Sequence, residues 1–192
     1  MPISDATNPG VTAPPASGPP VVPVVPSTYR EEDFYGAFAA YLQDDLDEAT
    51  VAQAMGGAGF KDKWGTPDVV GVYRPLRSDL IPFTPEIIAA EIKIDAYQSV
   101  VAFGQAVAYR LFAAKSYIVM PSTMSQVDQS RLDALCLLFG VGFVLFGPSD
   151  PLQPRFQIRV RASRFAPDAF YVNEFARRLH EGYPDRFVAL FQ

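Results

Sequence analysis

From residue 29 to 48 the apolar residues Phe34, Phe38, Tyr41 and Leu42 recur at three- and four-residue spacing, which lines one face of a helix. Glu31 precedes Phe34 by three positions and Phe38 by seven, so it falls on that inward stripe, while Glu32 points to the side. The stretch AMGGAGFKDKWGTPD, rich in glycine, favours turns and a short strand. DVVGVYRP then reads as a strand of β-branched and aromatic residues stopped by Pro75, followed by a connection, LRSDLIPFTP. EIIAAEIKID is a nearly unbroken apolar run, the pattern of a central strand buried on both faces. Residues 97–114 carry Val101, Val107, Ala108, Leu111 and Phe112 at helical spacing with no proline.

The second half alternates more regularly. SYIVMPS is a short buried strand ended by Pro121, SQVDQSRLDALCLLFG an amphipathic helix ended by Gly140, and VGFVLFG another buried strand. Strand, helix, strand, helix, strand implies right-handed crossovers and parallel neighbours. RFQIRVRASRF alternates, with Phe156, Ile158 and Val160 on one face and Arg155, Gln157, Arg159 and Arg161 on the other. Two helices, DAFYVNEFARRLHEGY and PDRFVALF, close the chain. The fold class expected is α/β, a central mixed sheet flanked by helices.

Composition divides the 192 residues in two. Residues 1–28, dominated by Pro, Gly, Ala, Ser and Thr, have neither periodicity and are expected to form a disordered, Pro-rich tail. Residues 29–192 are expected to fold as a single domain, since 49% hydrophobic residues suffice for a substantial core. The tail lacks the pattern of a secretory leader, and no segment offers the ~18 uninterrupted apolar residues of a membrane span. The expectation is a soluble, cytoplasmic protein.

Charge and rare residues narrow the chemistry. A net charge of −5 argues against coating nucleic acid by bulk electrostatics, although local charge matters more than the total. One cysteine, Cys136, excludes an intrachain disulfide and a Cys-cluster zinc site, and the lone histidine, His180, reads as a polar residue on a solvated helix face.

The informative cluster is PDVVG at 67–71 with EIK at 91–93. Asp68 opens one strand, and Glu91 and Lys93, two residues apart, project from one face of the next. Placing Glu91 and Lys93 inside IIAAEIKI is costly without partners or a metal. Two carboxylates and the backbone carbonyl of Ile92 offer the hard oxygen ligands that Mg²⁺ (or Mn²⁺) prefers, with room for water and phosphate oxygens. Lys93 would then orient the attacking water or stabilise developing charge, a set that suits phosphodiester hydrolysis without a histidine.

Pro67-Asp68 followed by Glu91-Ile92-Lys93 resembles the signature of the PD-(D/E)xK nuclease superfamily, and Gln105 with Tyr109 fits the QxxxY element of its RecB-like branch. The resemblance spans about residues 30–147. It implies a restriction-endonuclease-like αβββαβ core and a metal-dependent nuclease acting on DNA, with Asp68 and Glu91 as metal ligands. It further implies that Gln105 positions a catalytic group or phosphate and that Tyr109 supports the substrate. An acidic residue of the first helix often completes the metal site in such proteins, which makes Glu31 the better candidate and Glu32 the alternative. A first-turn helix acid stabilised by the helix dipole accounts for Glu31 equally well. Arg155, Arg159, Arg161 and Arg164 fit either a basic stripe contacting the DNA backbone or a solvated, charge-protected strand edge. The chain has no cysteine set for an iron–sulfur cluster, no helicase motif and no separate sequence-reading domain. Specificity would therefore come from a protein partner or a homodimer. A second account also stands, a catalytically silent nucleic-acid-binding or scaffold subunit on the same fold.

Overall fold

A computed structural model describes residues 29–56 and 66–192. The Pro-rich tail and most of the glycine-rich stretch before Thr66 lie outside the described residues.

The first element is a 3-10 turn, Glu31–Phe34, entered through Arg30, whose N–H donates to the Asp33 carboxylate at 2.8 Å. It runs directly into α1, Tyr35–Asp44, and brings Phe34, Phe38 and Leu42 onto one fully buried stripe. The helix is shorter than its periodicity suggested. Past Asp44 come Asp45, Asp47 and Glu48, Asp47 takes a left-handed φ of 53°, and the chain turns into β1, Val51–Ala54.

Strands β1, β2 (Val69–Tyr73) and β3 (Glu86–Ile92) form an antiparallel meander. From β3 the chain passes through a second 3-10 turn, Ala96–Gln98, into α2, Ser99–Tyr109, and returns as β4, Lys115–Pro121. Helix α3, Gln126–Phe139, leads to β5, Gly142–Phe146. Strands β3, β4 and β5 are parallel, as the alternating periodicity predicted, and the antiparallel β6, Gln157–Val160, completes a six-stranded mixed sheet in the order β1-β2-β3-β4-β5-β6.

Helices cover both faces. Alternate residues of β3 and β4, namely Ile88, Ala90, Ile92, Tyr117 and Val119, pack under α1 with Phe34, Phe38 and Leu42. The opposite face takes Ala102 and Ala106 of α2 and Leu132 and Cys136 of α3 against Ile118, Met120, Phe143 and Leu145. It also takes Phe175 and Leu179 of α4, Ala169–Gly182, and Leu190 of α5, Pro184–Phe191, against Val70, Val72, Ile87 and Ala89. The strands sandwiched between these layers are buried on both sides, which is why β3 reads as continuous apolar sequence.

Two glycines fix close approaches. Gly140 ends α3 in the left-handed conformation (φ 66°) that a helix C-cap requires. Gly142 lies opposite Tyr117 in the β4–β5 register, and a Cβ there would collide with the Tyr117 ring. His180 is exposed on α4 with its ring edge-on to Phe187, as expected of a solvated face. Among the described residues no helix is long and apolar enough to cross a membrane.

Candidate functional site

The C-terminal end of β3 gathers the charged residues singled out from the sequence. Asp68, immediately before β2, is pinned by its backbone on both sides: its N–H donates to Ala90 O at 3.0 Å, and its carbonyl accepts from Met55 N–H at 2.8 Å. Its carboxylate reaches across to accept the Ile92 N–H at 2.7 Å. Glu91 is the penultimate residue of β3, only 2% exposed, on the face covered by α2. One oxygen of Glu91 faces the Lys93 ammonium at 2.8 Å, and the other accepts the Tyr109 hydroxyl from α2 at 2.5 Å. Lys93 lies just beyond β3, its N–H still bonded to Val119 O at 3.0 Å. Its ammonium is therefore held over the end of the strand.

Glu31 closes the group from the other side. Its carboxylate is 3.3 Å from the Lys93 ammonium and accepts the Ile94 N–H at 3.4 Å, so Lys93 bridges an acid of the first helical turn and one of the central sheet. Glu32, the alternative, pairs with Arg30 in solvent. Glu31, expected either as a further metal ligand or as a first-turn helix acid, is turned onto Lys93. Among the described residues no three His, Cys, Asp or Glu side chains are grouped so as to hold a metal ion, and the carboxylate of Glu31 is spent on Lys93.

The electrostatics follow from burial. Desolvation, reinforced by the Glu91 charge, pushes the Asp68 carboxyl up to about 7, against hydrogen bonds from Tyr35 and Ile92 N–H and the Lys93 charge, which pull it down. Lys93 behaves differently. Burial pulls its pKa down, but the charge and hydrogen bond of Glu91, with Asp68 and Glu31, carry the net shift above the ordinary lysine value. It remains an ammonium at neutral pH. Tyr35 and Tyr109 are pushed far above the tyrosine range, first by burial and then by the surrounding carboxylates, so both stay protonated as hydrogen-bond donors.

Tyr35 is the member that the sequence pattern did not single out. Its hydroxyl hydrogen-bonds Asp68 from beneath, and its position four residues after Glu31 on the same helical face was the available signal. Tyr109 is turned inward onto Glu91 and is buried, so it holds that carboxylate instead of facing a substrate directly. Gln105 is one helical turn before Tyr109, about 6 Å along α2. Its carbonyl oxygen is shut off from solvent and has no hydrogen-bond partner among the described residues.

Of the two accounts of the arginines, a basic stripe or a charge-protected strand edge, a single stripe is not formed, because Arg159 and Arg161 pair on opposite sides. A register shift between Phe143 and Val144 makes Arg159 an extra residue in β6, so alternation breaks there. Phe156 and Ile158 pack on the α1 side, whereas Val160 packs on the α3 side. Arg159 consequently pairs with Asp133 of α3 at 2.6 Å, while Arg161 turns to Glu48 at 3.2 Å and Leu46 O at 3.3 Å on the other side. Arg164 pairs with Glu86 at the start of β3, about 20 Å of strand away from Ile92. Arg155 is exposed just before β6, with a φ of 49°.

Comparison with protein-family models, with curated proteins and with solved structures found no match.

The oxygen donors that could hold a hard divalent cation are two carboxylates and one backbone carbonyl. Asp68, Glu91 and the Ile92 carbonyl are all oxygen donors, and Mg²⁺ is commonly held by one or two carboxylates with water and phosphate oxygens filling the remaining positions.

Proposed function

We propose that the chain is a metal-dependent nuclease of the PD-(D/E)xK type that hydrolyses DNA phosphodiester bonds. The observation that carries this reading is the meeting of half-buried Asp68 and Lys93 with buried Glu91 at one end of two paired strands. The order α1, β1, β2, β3, α2, β4 supports it, being the αβββαβ sequence of a restriction-endonuclease-like core.

Asp68 and Glu91, with the Ile92 carbonyl, would hold Mg²⁺ or Mn²⁺. When bound, the metal supplies an activated water and neutralises charge on the phosphate. Lys93 keeps its proton, so it serves as a fixed positive charge for the attacking water and the developing phosphorane charge, and does not act as a general base. Glu31 and Glu91 fix the Lys93 side chain between them. Tyr35 and Tyr109 donate to the two ligand carboxylates and hold their orientation, as outer-shell partners do. The unsatisfied carbonyl oxygen of Gln105 is an acceptor suited to a water in the site.

Purified protein incubated with DNA should cleave only when Mg²⁺ or Mn²⁺ is added. Lys93→Ala should lower the rate by about 10²-fold or more, the scale of losing a preorganised charge-stabilising group. Circular dichroism should show the variant still folded. Cleavage in the presence of chelator, or undiminished cleavage by the variant, would refute the proposal.

One observation favours a second reading, a silent nucleic-acid-binding or scaffold subunit: both Glu91 oxygens are already engaged, by Lys93 and Tyr109. That reading expects no heat of Mg²⁺ or Mn²⁺ binding and no turnover. Turnover by the wild-type chain excludes it.

A further inference from the structure

Lys93 stands on the carboxylate oxygen that a bound cation would need. Its ammonium is 2.8 Å from Glu91 Oε1, and the Lys93 and Glu91 side chains are only 12% and 2% exposed. The other oxygen, Oε2, accepts the Tyr109 hydroxyl at 2.5 Å, so Oε1 is the one left for a cation. The occupancy has a physical cause. A carboxylate held in the sheet without a counter-charge is strongly destabilising, and Lys93 is the counter-charge that this chain places there itself. A divalent cation and an ammonium in contact with one oxygen are like charges at close range, which disfavours having both. Lys93 must therefore leave Glu91 for that carboxylate to take up a metal ion.

The fold provides a place for it to go. Among the described residues Lys93 has two ion-pair partners, Glu91 and Glu31. Its backbone is fixed, the N–H bonded to Val119 O at 3.0 Å, so the flexible four-carbon stem alone moves the charge. The contact with Glu31 Oε2 is 3.3 Å, looser than the one to Glu91, and charge-assisted contacts close to about 2.7–2.9 Å. Glu31 Oε1 accepts the Ile94 N–H at 3.4 Å, which ties the receiving carboxylate to the chain next to Lys93. The neighbouring acids are engaged elsewhere, Asp68 by the Ile92 N–H and the Tyr35 hydroxyl and Glu32 by Arg30.

We propose that Glu31 is a positioning residue that receives Lys93: the ammonium neutralises Glu91, yields that carboxylate to a divalent cation, and is then held in the site by Glu31. This inference rests on the nuclease reading for the cation. It goes further in making Lys93 and the cation competitors for one oxygen and in having Glu31 act through Lys93 alone. No covalent bond changes and no proton moves, since Lys93 is an ammonium in both positions.

The test is a double-mutant cycle on the full chain without nucleic acid, with Mn²⁺ affinity read by calorimetry and by loss of the free-ion electron spin resonance signal. Lys93→Gln removes the competing charge but keeps a donor for Glu91. It should bind Mn²⁺ about 10-fold more tightly than the parent, within the range of couplings between side chains of one ionic network. Glu31→Gln alone should weaken binding about 10-fold, because the displaced ammonium loses its receiver, and by less than about 2-fold when Lys93→Gln is also present. A second measurement needs no change at Lys93. With isotope-labelled lysine, Mg²⁺ should shift the Lys93 ammonium resonance in the parent and broaden it away in Glu31→Gln, where the released ammonium exchanges protons with water. An equal loss from Glu31→Gln in both backgrounds, as a direct ligand or a through-space charge would give, overturns the inference and leaves the nuclease reading standing. So does Lys93→Gln binding no more tightly than the parent, or a Lys93 resonance indifferent to Mg²⁺. Absence of Mn²⁺ binding by the parent and by every variant overturns both.

Discussion

Asp68→Asn should make the metal-free protein more stable at pH 8. In the fold the Asp68 carboxyl titrates at about 7, against 3.8 for an ordinary aspartate, because it is buried beside Glu91. Between these values the folded chain holds close to one proton more than the unfolded chain. Stability therefore falls as pH rises, at up to about 1.4 kcal/mol per pH unit. The contribution is fully present below about pH 4 and gone above about pH 7. Integrated across that window, the slope gives about 4 kcal/mol as an upper bound. Relaxation of Lys93 and Glu91 around the charge reduces that to about 1–3 kcal/mol. Asparagine keeps an oxygen for the Ile92 N–H and can still bond the Tyr35 hydroxyl, but carries no charge. The assay is urea denaturation with EDTA, followed by far-ultraviolet circular dichroism at pH 5 and pH 8. Only the difference between variant and parent is read, so carboxylates elsewhere cancel. That difference should favour the variant at pH 8 and shrink toward pH 5. Adding Mg²⁺ at pH 8 should stabilise the parent and not the variant. A variant less stable than the parent by the same margin at both pH values would refute the electrostatic account of Asp68.

Tyr109→Phe removes the hydroxyl donated to buried Glu91 and should destabilise the chain by about 1–3 kcal/mol, the cost of a buried acceptor losing its partner. Urea midpoints for the two proteins check this, and an unchanged midpoint would mean that water replaces the hydroxyl. Gly142→Ala forces the Tyr117 ring aside in the middle of the sheet and should cost about 1–3 kcal/mol. A melting temperature within 1 °C of the parent, taken as roughly the resolution of a thermal scan, would show that the β4–β5 contact yields more easily than its geometry indicates.

Much of the scaffold was legible because burial writes itself into local periodicity. The apolar run of β3, the helical stripe of α1 and the strand–helix alternation from β3 to β5 each reflect how many faces an element hides. The meeting of Asp68, Glu91 and Lys93 was legible for the same reason, since charged residues stand out against apolar flanks. What local pattern could not carry was contact between distant segments. Strand β1 is four residues, only Ala52 of them buried, whose identity as a strand depends on pairing with β2. The bulge that divides Arg159 from Arg161 exists only in register with β5, so a strand read alone keeps its alternation and yields a false basic stripe. Tyr35 lies on the helical face of Glu31, but its bond to Asp68 joins α1 to the start of β2, a link that no spacing rule within α1 contains.

The backbone pinning of Asp68 has a consequence for how the protein fails. Its N–H and carbonyl are ladder bonds to β3 and to the residue after β1, and Lys93 N–H is bonded to β4. The site is thus assembled from amides in the interior of the sheet, the part of a fold that opens to hydrogen exchange only near global unfolding. Helices such as α5 can fray without disturbing it. On heating, the reaction centre should stay intact until the whole sheet melts and then vanish with it, leaving no folded but disarmed intermediate.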